Sequence, residues 1–243
     1  MKTWVALAFL LLVAACGPGS DDDLLVSAAA SLTDVFAELE TGFEAEHPDV
    51  DVVLNLAATS TLRQQILQGA PADLFASADR LNMEQVAAAG LLSGTPRVFA
   101  TNRLQIAVRR GNPAGVRGLA DLADPELLVG LCAETVPCGR LAGMALDSAG
   151  IIASVDSEEP NVRALLTKIA EGELDAGIVY ETDVIVEAAV EGIDIPDEFN
   201  VVNEYLIGVL GGSSNPASAA EFVEHMFSPA GQRILSDHGF GPP

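Results

Sequence analysis

The sequence is short of positive charge. Twelve Lys and Arg stand against 35 Asp and Glu, a formal net charge of −23. That balance excludes a nucleic-acid-binding chain and a protein drawn to anionic membrane surfaces, both of which need basic patches; the acid reads as a solvated surface. Histidine is scarce too: His47, His225 and His238 are scattered and lie near no cysteine, which argues against a metal site. The one long apolar run, residues 5–15, has eleven residues, too few to span a bilayer. P-loop, nucleophile-elbow, zinc and dinucleotide-glycine motifs are all missing, so neither an enzyme nor a cofactor is expected. With 49% hydrophobic residues the chain is nonetheless globular rather than disordered.

The short apolar run suits a signal segment, with Lys2 as its basic start. It ends V-A-A-C at 13–16, which resembles a bacterial lipobox. The pattern implies removal of residues 1–15, lipidation of Cys16 and a polar tether over 16–23, leaving a soluble domain on the outer face of the cell membrane. Plain secretion with cleavage near Cys16 is the alternative. Assigning Cys16 to the lipid leaves Cys132 and Cys138. In an oxidising compartment these can form a disulfide around a seven-residue loop; a redox-active pair is the other option.

Apolar runs alternate with helical spacing along the whole chain. Strands are expected at 24–30, 50–56, 74–77, 104–109, 127–131, 176–180 and 201–210. Helices are expected at 32–46, 61–68, 81–89, 139–148, 162–170, 182–190, 217–226 and 229–238. Gly69 and Gly90 sit where helices end. The alternation predicts an α/β protein. Crossings between two lobes are expected near 101–104 and 205–208.

Four segments put a small, hydroxyl-bearing or proline residue where a helix begins. They are A-A-A-S-L-T-D (28–34), A-T-S-T-L (58–62), V-P-C-G (136–139) and E-P-N-V-R (159–163). Ser31 reads as an N-cap with Asp34 three residues on; Thr59, Ser60 and Thr61 can cap the second helix. Pro137 and Pro160-Asn161 open two more. Helix N-termini offer free N–H groups and partial positive charge to an anion. Each alone is more often structural, and spacing does not show convergence.

These segments, with G-A-P-A-D-L-F-A-S-A-D (69–79), G-I-V-Y-E-T-D (177–183) and H-G-F (238–240), resemble the molybdate-binding proteins of bacterial ABC importers, from about residue 24 to 240. The resemblance implies a two-lobed periplasmic-binding fold of type II, each lobe a mixed sheet flanked by helices, with lobe I at 24–101 plus 208–243 and lobe II at 102–207. It implies a monomeric receptor that binds molybdate or tungstate in the cleft and delivers it to an ABC importer permease. The ligand set carried over is Ser31, Thr59, the backbone amides of Cys138 and Val162, and the phenol of Tyr180. Thr59 stands where Ser is common and Cys138 where Ala is common. The spacing of Cys132 and Cys138 resembles an actinobacterial variant, in which the bridge braces the amide-bearing loop. Rival readings are a receptor for sulfate or another oxyanion, an envelope thiol-redox lipoprotein, and a structural lipoprotein. Arg163 reads as a partner of surface acid rather than an anion clamp. Asp73 and Asp79 read as structural caps rather than a catalytic carboxylate pair.

Overall fold

The computed structural model describes residues 23–243; the expected signal segment and Cys16 lie outside the described residues. The first sheet has the order β2-β1-β3-β10-β4, built from Asp51–Ala57 (β2), Asp23–Ala29 (β1), Leu74–Ser77 (β3), Asn203–Val209 (β10) and Arg97–Asn102 (β4). The second has the order β7-β6-β8-β5-β9: Val155–Glu159 (β7), Val129–Cys132 (β6), Ala176–Tyr180 (β8), Leu104–Arg109 (β5) and Val190–Asp194 (β9). In both sheets the first three strands are parallel and the fourth is antiparallel. That fourth strand is in each case the first one made after the chain changes sheet. The sheets are therefore mixed, with one topology repeated.

Strand periodicity divides the first lobe's core. Leu24, Val26 and Ala28 of β1, Leu74 and Ala76 of β3, and Tyr205 and Ile207 of β10 face one side. They pack there against Phe36 and Phe43 of α1 (Thr33–Glu46), Phe222 of α7 (Pro216–Phe227) and Leu235 of α8 (Pro229–Asp237). Phe75 and Leu206 face the other side, against Leu62 and Ile66 of α2 (Thr59–Leu67) and Met83 and Val86 of α3 (Arg80–Ala88). This is the period-2 alternation of a sheet covered on both faces. The second sheet has its own core. Leu141, Ala142 and Ala145 of α4 (Pro137–Ala149) and Leu165 and Ile169 of α5 (Val162–Glu171) pack with Ile106, Val129 and Ile178. Gly69 and Gly90, at φ +83° and +70°, follow the last residues of α2 and α3 as expected.

Four elements and one crossing differ from the sequence reading. The helix expected at 182–190 stops early, as α6 (Glu181–Val186), and Val190 opens β9. Strands β4 and β7 had no counterpart among the expected elements. The return crossing, expected near 205–208, lies upstream: β10 pairs along its length with β3 and β4, so residues 203–207 stay in the first sheet.

Candidate functional site

The C-terminal ends of the parallel strands of both sheets point at one cleft, where open α/β sheets place their ligands. Beyond β1 comes a short 3₁₀ turn, Ala30–Leu32, that leads into α1. Beyond β2 comes the start of α2, beyond β3 Ala78, beyond β6 the start of α4, beyond β7 the start of α5 and beyond β8 Tyr180. These segments enclose a cavity lined by residues from both lobes, among them Ser31, Thr59, Ala78, Cys138, Val162 and Tyr180. No lining residue carries a charge.

All five residues expected to touch the ligand therefore line one cavity, though two capping assignments fail. Ser31 does not cap α1. It lies inside the 3₁₀ turn, the N-cap is Leu32, and the Ser31 hydroxyl meets Tyr205 Oη at 3.0 Å. Thr59 does not cap α2 either: Ala58 holds the N-cap, Thr59 is the first helical residue, and its Oγ1 accepts the Ala78 N–H at 3.2 Å. Both hydroxyls point away from their own helix, which leaves the first-turn N–H groups without side-chain caps. The other two helix starts follow expectation. Pro137 opens α4 after Val136, and Asn161 caps α5 by accepting the Ala164 N–H at 3.0 Å. The N–H groups of Thr59, Ser60, Cys138, Gly139, Val162 and Arg163 occupy first-turn positions that have no intrahelical acceptor.

Tyr180 is 1% exposed, and its phenol oxygen has no hydrogen-bond partner among the described residues. Burial raises its pKa well above the usual phenol value, and Tyr205, Asp183 and Asp79 push the same way. The group is a buried O–H donor beside an uncharged cavity, with the Tyr205 phenol as a neighbour. An unsatisfied buried hydroxyl is costly and calls for a partner.

Asp73 holds the 213–215 loop: it accepts from Ser213 Oγ at 2.6 Å and from the N–H groups of Leu25, Ser214 and Asn215. Burial raises its pKa, but those bonds outweigh it and leave the carboxyl below its ordinary value. Asp79 caps α3 through the Asn82 N–H and meets Arg140 of α4 at 2.6 Å. The two carboxylates thus have separate structural duties. Cys132 and Cys138 form a disulfide with Cα atoms 5.8 Å apart, tying the end of β6 to the start of α4. A Cβ on Gly139 would sit 2.1 Å from the Ala133 carbonyl oxygen, so only glycine lets α4 start this close to its own loop.

Charge sits around the cavity in pairs that span the lobes. Arg140 of α4 meets Asp79 beyond β3; Arg163 of α5 pairs with Asp34 of α1 and lies 3.4 Å from Asp183 Oδ1. Arg163 thus pairs with acid as expected, but across the cleft rather than on the outer surface. Asp183 is 0% exposed; burial pushes its pKa up to about 7, against the pull of Arg163 and of the Tyr180 N–H that it accepts. Arg140, Tyr205 and Asn102 were not anticipated. The only available signal was that the chain has just two tyrosines; their rings meet at 6.0 Å.

Residues 24–241 match the family of bacterial extracellular solute-binding proteins. The chain belongs to that family. It is 43% identical over 221 residues, 90% of this chain and 85% of the relative, to the molybdate-binding protein ModA of Mycobacterium tuberculosis (strain H37Rv). Among solved structures it is similar to the periplasmic molybdate-binding protein of Azotobacter vinelandii, with TM-score 0.78 and 20% identity, covering 90% of this chain and 99% of that one. It is also similar to the sulfate-binding protein SubI of M. tuberculosis H37Rv, with TM-score 0.80 and 18% identity, covering 90% and 86%. Those two likenesses establish the type II two-lobed fold. Family membership places the protein among extracytoplasmic receptors for solutes.

Proposed function

We propose that this solute-binding protein captures molybdate or tungstate in the interlobe cavity and delivers it to an ABC importer, held at the outer face of the membrane by a lipid on Cys16. The observation that carries the reading is the buried, unpartnered phenol of Tyr180 beside an uncharged cavity where α2, α4 and α5 begin. Its ligand would be met by the hydroxyls of Ser31 and Thr59, the amides of Cys138 and Val162, and that phenol. Every one of these can donate a hydrogen bond. A fully deprotonated dianion accepts from all of them. Hydrogen phosphate brings a proton that faces another donor, an unpaired arrangement worth about 1–3 kcal/mol against it. The 43%-identical relative named for molybdate supports the choice of ligand.

Sulfate also lacks a proton and fits the same donor logic, and the likeness to a sulfate-binding protein keeps it as the second reading. Size must separate them, since the bonds of sulfate are shorter than those of molybdate. Calorimetric titration of the purified protein with molybdate, tungstate, sulfate and phosphate decides. Tight binding of the first two alone is expected; tighter sulfate binding would replace the reading, and binding of no oxyanion would sink it.

A further inference from the structure

Behind Ser31 lies a fully buried tyrosine that does not line the cavity. Tyr205 sits on β10, wedged edge-on against Phe99, Phe240 and Tyr180. Its Oη is 3.0 Å from Ser31 Oγ and 3.5 Å from Asn102 Nδ2. The orientation of Asn102 is set by its other end: Oδ1 accepts the Arg103 N–H at 2.9 Å. Nδ2 therefore faces Tyr205 and also Thr182 Oγ1, at 2.8 Å in the second lobe. An amide nitrogen only donates, and a phenol has a single hydrogen. Tyr205 Oη accepts from Asn102 with one lone pair, and its single hydrogen has Ser31 Oγ, at 3.0 Å, as an acceptor. Ser31 then accepts from behind, and its own hydrogen is left for the cavity.

Thr59 follows the same rule by another route, because its Oγ1 accepts the Ala78 N–H. With these two hydroxyls backed by internal donors, Ser31 and Thr59 are both oriented as donors toward the ligand. We propose that Tyr205 is a positioning and specificity-determining residue: through Ser31 it fixes the direction of a hydrogen bond, and so favours oxyanions without a proton over those that carry one. This rests on the oxyanion reading of the cavity and adds to it a residue that never touches the ligand.

Tyr205→Phe keeps the ring and its edge contacts and removes only the hydroxyl. Titration with molybdate and with hydrogen phosphate at neutral pH should show molybdate weakened about 10-fold and the preference over phosphate narrowed, because Ser31 is then free to accept the phosphate proton. The same substitution placed in Ser31→Ala should cost almost nothing more. Asn102→Asp, which turns the donor behind Tyr205 into an acceptor, should move the preference in the same direction. An unchanged preference in Tyr205→Phe, or an equal loss with and without Ser31, would overturn the proposal. Failure of the wild-type protein to bind any oxyanion is read in its own arm; it would remove the cavity reading and this inference together.

Discussion

The two lobes repeat one topology and meet at one cavity, yet they supply different chemistry. The first lobe brings hydroxyls, Ser31 and Thr59, each hydrogen-bonded from behind, one to Tyr205 Oη and one to the Ala78 N–H. The second brings main-chain N–H groups at the starts of α4 and α5, with a phenol from the end of β8. Side-chain donors need an exact residue type and a partner to orient them. Main-chain donors need only a fixed helix start, which the second lobe secures with a proline, a disulfide, a close-packed glycine and an asparagine cap. Where the backbone is the ligand, sequence is free to vary and the scaffold is not.

The sharpest way to break that contrast is to remove a main-chain donor while keeping the helix. Val162 is the first residue of α5, where proline is tolerated, and Asn161 is extended, at φ −163° and ψ 169°, as a residue before proline must be. Val162→Pro should weaken molybdate binding by about 10- to 100-fold, the worth of a hydrogen bond to a charged group, while Val162→Ala should leave it within about 3-fold, since the amide survives. Equal losses in calorimetry would mean that the valine side chain, not its amide, matters.

A smaller effect is expected from the brace. Replacing both Cys132 and Cys138 with Ser opens a seven-residue loop and should cost about 2 kcal/mol in denaturant unfolding, with oxyanion affinity reduced only modestly. A receptor requires that retention; complete loss of binding with the fold intact would favour a role for the thiols themselves.

The smallest effect concerns Asp183 behind the phenol. Its carboxyl titrates near pH 7 in the folded protein, above its ordinary value of 3.8. A raised carboxylate pKa contributes stability below about pH 4 that is lost as pH rises through about 7. Asp183→Asn should therefore flatten the change in melting temperature between pH 4 and 7. An unchanged slope would assign that pH dependence to other groups.

Much of the fold was legible because apolar residues recur with strand and helix periods in the elements that build the core. The elements that escaped notice lie at sheet edges. Strand β7 reads V-D-S-E-E and β9 reads V-E-G-I-D; a strand with one neighbour buries little, so its sequence carries charge instead of an apolar alternation. At the site, the motifs identified residues that line one cavity but not the hydrogen bonds they make. Ser31 and Thr59 have the chemistry of helix caps, and only the positions of Tyr205 and Ala78, distant in sequence, show that their hydroxyls are engaged elsewhere. The same limit hid Arg140, whose partner Asp79 lies 61 residues away.

The paired charges that bridge the lobes give the receptor a second dial. Arg140 with Asp79 and Arg163 with Asp34 join the lobes without entering the cavity, so in a receptor that opens and shuts they would act on the ratio of open to shut molecules rather than on the grip of the shut one. Apparent affinity is the intrinsic affinity scaled by the fraction already competent to bind. Variation at these four positions would then retune capture to scarce or plentiful solute while every residue lining the cavity stays where it is.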